Sequence, residues 1–352
     1  MILKFQAPVP GEQPNITAGG LATMQSPNGP RIGVLYAELT VTGAAGGAGN
    51  VTLPLLTDVA DPKLPMFIKV GGKPLRQRLA SELIADNLLQ DITAGGSVSY
   101  YQAGVLIARV NNASNKSSVG LGLAANTATT AVFQVPTYFA EYWRKDLPTA
   151  EGLALPTAFT GGKFLKPVTI EVPITATQTT ASVIVVATGL LTGGAVATSG
   201  WGCKFWFDYD GLSWPLSAAG NPVSPIVKKG RFTKGYAVAG DVTVAIPLKD
   251  QLMQFSLLLA AGDTWSKILL KLNGTTLKEL TPDRMNQVLL DHGMNVLATV
   301  PNRIDVVMDL NDDVNAALAL GDTDTLEVVA TLATVAAAAQ MVVLTEYYGL
   351  PD

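Results

Sequence analysis

The chain has 352 residues, of which 15% are charged and 48% are hydrophobic, and its formal net charge is −4. An average soluble protein has roughly 25% charged residues, so this chain either buries unusually much surface or presents a low-charge surface to partners. The acidic balance gives no basic footprint, which argues against sequence-specific or broad nucleic-acid binding. The single cysteine, Cys203, excludes an internal disulfide and a cysteine-rich metal site.

The first thirty residues differ in composition from the rest. Residues 1–8 lack the charged start and apolar core of a signal peptide, so we expect synthesis and first folding in a cytoplasm. A short strand candidate at residues 2–5 is followed by three prolines and a Gly-, Ser- and Asn-rich run. This composition predicts an extended N-terminal arm over about residues 1–30, outside the core.

From residue 32 onward, short runs of β-branched and aromatic residues alternate with Gly, Pro and Asn turns, which predicts strands. Helices are predicted only at residues 81–90 and 282–290. Ser81 is a candidate cap for the first, and Thr281 followed by Pro282 marks the start of the second. Two charge-free runs, 172–203 and 328–345, are long enough to cross a bilayer, but their composition favours buried strands joined by a turn.

One segment returns about two hundred residues later. In both copies an apolar–Lys–apolar strand end enters a Gly turn, reaches a Leu and continues into an amphipathic segment that ends on Leu-Leu. The first copy begins Ile68-Lys69-Val70-Gly71-Gly72-Lys73-Pro74-Leu75, and the second begins Leu270-Lys271-Leu272-Asn273-Gly274-Thr275-Thr276-Leu277. Matching the Leu-Leu pairs at 88–89 and 289–290 requires the loss of one residue from the second copy.

Two weaker matches follow the same order along the chain. Residues 48–55 resemble residues 239–248, and residues 139–143 resemble residues 344–348. Matches in one order with comparable spacing predict two copies of one whole domain. The expected division is a first domain over residues 1–146, a linker over 147–163 and a second domain over 164–352, each an eight-stranded antiparallel jelly roll in an all-β chain with short helices.

The residues that could carry catalysis or metal binding do not form a recognisable pattern. The only histidine, His292, follows a predicted helix end, and Cys203 stands in an aromatic strand without an evident base. Asp208 and Asp210 begin like a calcium loop but lack its later ligands, so a turn is the simpler interpretation. We therefore predict no catalytic residue, no metal site, no cofactor and no enzymatic activity.

The chain carries a Glu-Tyr-aromatic motif at two strand ends. It consists of Glu141-Tyr142-Trp143 in the first copy and Glu346-Tyr347-Tyr348 in the second. A ring that closes the end of a barrel is the simpler interpretation. Because Tyr and Trp are enriched at interfaces, a subunit contact is the sharper alternative, with Tyr142, Trp143, Tyr347 and Tyr348 as candidates.

These features together resemble the double jelly-roll major capsid proteins of tailless, often membrane-containing, icosahedral bacteriophages. The resemblance rests on the two β-rich units, on the helix after a Gly turn in each, and on the paired strand endings. It implies a homotrimer whose six barrels form a pseudo-hexagonal capsomer in a virion shell. The implied partners are neighbouring capsomers, penton and minor capsid proteins, and an internal membrane facing the N-terminal arm. If the arm has this role, deleting residues 1–12 should spare trimers and impair shell assembly.

Three other classes of protein are alternatives. A β-sandwich hydrolase is the least favoured, because the chain has one histidine and no candidate nucleophile pair. A phage spike or fibre protein is also β-rich and poor in charge, although a whole-domain duplication is not a fibre repeat. A tandem carbohydrate-binding protein would use exposed aromatic residues, for which Trp201, Trp206 and Trp214 are candidates.

Overall fold

The computed structural model describes residues 4–8, 13–14, 19–25, 31–45, 49–52, 63–89, 98–102, 105–110, 120–123, 128–138, 168–173, 185–186, 196–210, 226–247, 250–292, 294, 302–308, 317–319, 321 and 324–349. The chain divides into two compact units. The first unit comprises residues 1–142 and 151–222, and the second comprises residues 143–150 and 223–352.

The described part of the first unit consists of strands and one helix. The strands are β1 (Lys4–Pro8), β2 (Gln13–Pro14), β3 (Leu21–Gln25), β4 (Arg31–Ala45), β5 (Gly49–Thr52), β6 (Met66–Val70), β7 (Lys73–Arg78), β8 (Val98–Gln102), β9 (Val105–Val110), β10 (Gly120–Leu123), β11 (Ala128–Tyr138), β12 (Val168–Pro173), β13 (Val185–Val186) and β14 (Val196–Asp210). The helix α1 (Ala80–Leu89) follows β7.

The described part of the second unit is arranged in the same way. Its strands are β15 (Ile226–Tyr236), β16 (Gly240–Ile246), β17 (Gln251–Leu258), β18 (Thr264–Leu272), β19 (Thr275–Leu280), β20 (Arg303–Val307), β21 (Leu318–Ala319), β22 (Leu326–Thr334) and β23 (Ala339–Gly349). The helix α2 (Pro282–Asp291) follows β19.

The second unit is a jelly roll of two four-stranded antiparallel sheets. One sheet has the order β15-β23-β17-β20, with the short β21 beside β17, and the other has the order β16-β22-β18-β19. Counted along the chain, the eight main strands pair as first-eighth-third-sixth and second-seventh-fourth-fifth. This interleaving of early and late strands is the double Greek key of a jelly roll.

The first unit repeats this topology with insertions. Its sheets contain the orders β1-β14-β4-β11 and β3-β12-β6-β7, which follow the same two series. The hairpin β8-β9 continues the first sheet beyond β11, and β2 pairs with β14. The predicted fold class, two jelly rolls in one all-β chain with short helices, is therefore confirmed.

The boundary between the units differs from the expected one. Strand β12, which was assigned to the second domain, pairs with β3 and β6 of the first unit, and β14 pairs with β1 and β4. The described strands of the first jelly roll thus extend to Asp210, and the linker expected at residues 147–163 falls in sequence between β11 and β12 of this jelly roll. The sequence misleads here because the last strands of a jelly roll pair with the earliest ones, so local composition does not mark the end of the fold.

The N-terminal segment is also different from the expected arm. β1 forms the first strand of the first jelly roll, where its five residues pair with residues 206–210 of β14, and β3 pairs with β12. Within the described chain β1 lies at the edge of its sheet, and edge strands tolerate proline because one row of their N–H groups needs no partner. The proline-rich composition therefore suits an edge strand as well as a loose arm.

The central repeat is confirmed at the level of backbone geometry. In each copy a two-residue turn joins the strands with positive φ at both positions: Gly71 at 58° and Gly72 at 82°, Asn273 at 50° and Gly274 at 77°. Such turns match the right-handed twist of a hairpin and favour glycine or asparagine. In both hairpins the pairing register shifts because the second strand contains one extra residue. This residue is Leu75 in β7 and Leu277 in β19.

The two copies align along the sequence without a gap. The strand ends Val70 and Leu272 differ by 202 in number, and so do the helix starts Ala80 and Pro282. The expected loss of one residue is wrong, because the Leu-Leu pairs occupy different positions of the two helices. Pro282 stands at the first helical position as predicted, but Thr281 makes no side-chain capping bond. At the start of α1, Glu82 accepts a hydrogen bond from the Leu79 N–H at 2.8 Å.

The other two sequence matches do not join equivalent strands. Residues 49–52 form β5 in a connection of the first unit, whereas 240–246 form β16, the second strand of the other jelly roll. Residues 139–143 lie outside the described residues. They follow β11, the sixth main strand, whereas 344–348 belong to the eighth. The charge-free run 328–345 forms the hairpin β22–β23, as predicted.

The core of the second unit lies between its two sheets. Buried residues alternate with more exposed ones along β16 and β18, as in an antiparallel sandwich, whereas every residue of β20 and six successive residues of β17 are buried. The sheet containing β17 contributes Phe255, Leu257, Ile304, Val306 and Val343, and the opposite sheet contributes Val244, Ile246, Ile268, Leu270, Val328 and Ala330. Phe255 is fully buried, and it is among the largest side chains at the centre of this core.

We expect deletion of residues 1–12 to prevent stable folding of the first unit, because it removes β1 from its pairing with β14. The measurement is the yield of soluble protein and its melting profile in calorimetry. A truncation of residues 1–3, which precede β1, is the matched control and should leave both unchanged. Normal yield and melting of the longer truncation would contradict the placement of β1.

Candidate functional site

The candidate residues for catalysis and metal binding lie at the C-terminus of α2 and in β14. His292 caps the C-terminus of α2. Its backbone N–H donates to the backbone carbonyl oxygens of Val288 and Leu289, each at 3.3 Å. Cys203 lies in β14 with Leu39 of β4 as its register partner, and Asp208 and Asp210 belong to the same strand rather than to a turn. No group of three or more His, Cys, Asp or Glu residues in the described chain is arranged to hold a metal ion.

The second unit contains a buried polar cluster on β17 and β20. Asp305 accepts hydrogen bonds from the Nε of Arg303 at 2.8 Å and from the hydroxyl of Ser256 at 2.5 Å. A second Arg303 nitrogen donates to the same hydroxyl at 3.1 Å. Both bonds fall on the same oxygen of Asp305, and the cluster joins two adjacent strands.

The interface candidates have different environments. Tyr142 and Trp143 lie outside the described residues. Tyr347 is only 4% exposed, and its hydroxyl donates to the carbonyl oxygen of Pro247 at 2.7 Å. Burial raises the pKa of Tyr347 to about 12, so the phenol stays protonated at neutral pH. Tyr348 is half-buried, which leaves part of its ring at the surface of the second unit.

A buried carboxylate ties together three connections at one end of the second unit. Asp263 accepts from the hydroxyl of Tyr236 at 2.6 Å and from the Ala336 N–H at 2.8 Å, while the Ala260 N–H donates to the Tyr236 oxygen. The bond from Tyr236 and then that from Ala336 hold the pKa of Asp263 below its usual value. The contacts fix the β15 end, the β17–β18 connection and the β22–β23 turn.

The same end of the first unit carries an additional sheet. In an antiparallel jelly roll, the connections after the first, third, fifth and seventh main strands all leave from one end. The connection after the third main strand contains β5, that after the fifth contains β10, and that after the seventh contains β13. These three strands pair in the order β10-β5-β13. The described part of the second unit has short turns and α2 at these places. The two jelly rolls of one chain therefore present different ends.

The helix after the central hairpin is attached differently in the two units. In the first unit the Nε of Arg78 on β7 donates to Asp86 on α1 at 2.8 Å, and each side chain is 4% exposed. At the equivalent positions, 202 residues later, the second unit has Leu280 and Val288. A buried ion pair in one copy thus corresponds to an apolar pair in the other, and both partners change together.

Comparison with solved structures places this fold among viral coat proteins. The structure matches the major capsid protein of bacteriophage PM2 with a TM-score of 0.63 and 14% sequence identity. The match covers 99% of this chain and 98% of that chain. The structure also matches a chain of Sulfolobus Turreted Icosahedral Virus with a TM-score of 0.64 and 12% identity, covering 91% of that chain. The capsid of the virus PBCV-1 gives 0.56 and 12%, covering 94%.

These identities are too low to show more than a shared fold, but the fold is shared over nearly the whole of each chain. The protein therefore has the double jelly-roll architecture of viral major capsid proteins. No protein-family model matches the sequence, and no curated protein matches it significantly. Within the described residues, no helix is both long and apolar enough to cross a membrane.

We expect Arg78→Leu alone to destabilise the attachment of α1 by about 3–5 kcal/mol, because it leaves the Asp86 carboxylate buried without this partner. The double change Arg78→Leu with Asp86→Val should recover most of this loss, since it installs the apolar pair of the second unit. Hydrogen exchange of the α1 amides measures the opening free energy. Equal effects of the single and double changes would contradict the exchange of one pair for the other.

We expect the second unit to lose stability in acid partly through Asp263. Its pKa is lower in the folded protein than in the unfolded chain, so its contribution is complete above the unfolded value and is lost as pH falls through the folded value. Asp263→Asn should therefore lower the melting temperature at neutral pH and reduce its further fall between about pH 5 and pH 3. Asp241→Asn, on the exposed face of β16, is the control and should leave the acid dependence unchanged.

Proposed function

We propose that the protein is the structural major capsid protein of an icosahedral virus, with a non-catalytic role in the virion shell. The observation that supports this proposal is the pair of jelly rolls with one topology in a single chain, matched over 99% of its length to the capsid proteins of PM2 and STIV. The match covers the whole architecture rather than one domain, so a shared role of the whole chain is the simplest explanation.

Two similar barrels in one chain supply a direct route to a hexagonal building block. Three copies related by a threefold axis place six barrels around that axis, which fills a nearly sixfold tile with only one gene product. Because the two barrels of this chain differ at one end, such a tile has threefold rather than sixfold symmetry. We propose a homotrimer of this kind as the capsomer.

The composition supports large contacts between copies. Only 15% of the residues are charged, and the cores of stable protein interfaces are depleted in charge. Tyr348 is the one candidate among the four aromatic residues that is described and partly exposed, and we propose that it lies in a contact between copies. Tyr347 contributes to the same strand end from within its own unit, through its bond to Pro247.

The finer assignments follow from the same proposal. The protein is made in a host cytoplasm and assembled into virions, where its partners are neighbouring capsomers, a penton protein at the fivefold vertices and minor capsid proteins. An internal membrane is a further expectation, tested by lipid analysis of purified particles. Because residues 4–8 form a strand, a free N-terminal tether to that membrane is not part of the proposal.

We expect the purified protein to form a trimer of about three times the 36.8 kDa chain that resists dilution. Light scattering after size exclusion measures the mass, and electron microscopy should show tiles with threefold symmetry or closed shells. Tyr348→Ser should shift the mass toward the monomer, while Thr243→Ser, on the exposed face of β16, should not.

A stable monomer would contradict the capsid proposal and favour a tandem carbohydrate-binding protein, which glycan arrays would then detect. Elongated particles without closed or flat tiles would favour a spike or fibre protein.

A further inference from the structure

The second unit contains a cavity of about 320 Å³ beneath α2. It lies where β19, an edge of one sheet, faces β20, the edge of the other, and α2 covers the gap between them. Its lining combines charged and polar side chains with apolar ones, among them Leu280, Met285, Val288, Leu289 and Val306. A cavity of this size is at the lower end of the range for small-molecule sites, about 300–1,000 Å³.

A lysine is part of this lining. Lys278 of β19 donates to the carbonyl oxygen of Val307 across the gap at 3.3 Å, which is its one hydrogen bond in the described part of the chain. Burial lowers the pKa of Lys278, because the charged form is poorly solvated there. Among the described residues it makes no ion pair, and Arg284 at the cavity wall makes none either.

The acidic residues at the cavity do not compensate this charge. Asp305 is engaged by Arg303 and Ser256 of its own sheet. Glu279 precedes Leu280 on β19, is exposed to solvent, and makes no ion pair with Lys278 in the described chain. The cavity therefore combines apolar side chains with a half-buried cation that has no carboxylate partner among the described residues.

The equivalent positions of the first unit carry a different set of charged residues. At the positions equivalent to Lys278, Leu280, Arg284 and Val288, the first unit has Arg76, Arg78, Glu82 and Asp86, all buried. Two cations and two carboxylates balance there, and Asp86 binds Arg78 directly. The second unit keeps the first cation but replaces both carboxylates, one by Arg284 and one by Val288. The negative charge that balances the first unit has no counterpart at these positions of the second.

We propose that the cavity under α2 binds an amphiphilic monocarboxylate, such as a medium-chain fatty acid, whose head pairs with Lys278 and whose chain lies against Leu280 and Val288. The bound carboxylate supplies the negative charge that Glu82 and Asp86 supply in the first unit. The apolar chain lies in the cavity against the side chains that line it. Arg284, at the wall, adds a second cation for the same head group. This site is independent of the role of the protein in a shell.

Isothermal titration of the full-length protein with sodium octanoate tests the proposal. We expect saturable binding with one site per chain, and at least about tenfold weaker binding of octanol, which corresponds to about 1.4 kcal/mol for the lost charge pair. Lys278→Met should weaken octanoate binding by a similar factor, while Lys278→Arg should retain it because the cation is kept. Lys267→Met, on the neighbouring strand β18 and outside the cavity lining, is the matched control.

A second variant uses the comparison between the units. Val288→Asp supplies an internal carboxylate at the position of Asp86, so it should abolish octanoate binding, whereas Val288→Asn should bind better than Val288→Asp. Melting profiles confirm that each variant is folded before it is titrated. Absence of saturable binding to the wild type, or undiminished affinity in Lys278→Met and Val288→Asp, would overturn the proposal. A failure here with an intact trimer would leave the capsid proposal standing.

Discussion

The pairing of the first strand with the last is the constraint on which each unit depends. β1 pairs with β14 across about two hundred residues, and β15 pairs with β23 along eleven residues. Neither sheet is complete until the final strand of its unit has been added, so most of the stabilising contacts are long-range. Folds dominated by such contacts close slowly and expose strand edges while they do so. A chain with few charges is prone to aggregation while these edges are exposed.

The helix after the central hairpin is a second feature common to both units, and in the second unit it lies at the gap between the edges of the two sheets. In both units a hairpin with a left-handed two-residue turn leads into a helix of ten residues. The helix is retained while its attachment has changed: an Arg78–Asp86 pair in one unit and Leu280 with Val288 in the other. Both solutions are physically acceptable, because a buried ion pair and a well-packed apolar pair of similar volume can be close in free energy. A change of one partner alone is not acceptable, and the two copies differ at both positions.

The connections at one end distinguish the two copies of the fold. The first unit uses the connections after its third, fifth and seventh main strands to build the β10-β5-β13 sheet, whereas in the second unit Asp263 ties the connections after the first, third and seventh. Added mass at one end leaves the barrel walls unchanged, since the connections lie outside the two main sheets. The two main sheets can therefore remain similar in the two units while one end diverges.

Local features of the sequence determined the strands, the turns and the helix after each hairpin. The Gly71-Gly72 and Asn273-Gly274 turns were recognisable because positive φ at two successive positions restricts the residues that can occupy them. The hairpin β22–β23 was recognisable because a charge-free run with a central turn suits two buried strands. The single histidine in the sequence also limits the catalytic chemistry that the chain can support, because a Ser/His/Asp arrangement requires a histidine beside a nucleophile.

Tertiary structure alone decided which strands belong together. Residues 168–173 have the composition of a new domain's first strand, yet they pair with β3 and β6, and residues 4–8 precede a proline-rich run typical of a loose arm, yet they pair with β14. Residues 68–89 could be matched to their counterparts because a hairpin and its helix are contiguous and carry local rules. The other matches failed because strand pairing in a jelly roll follows the order of strands in the sheets. The hydrogen bonds that define this order join backbone groups, so the side chains of a strand do not identify its partner strand.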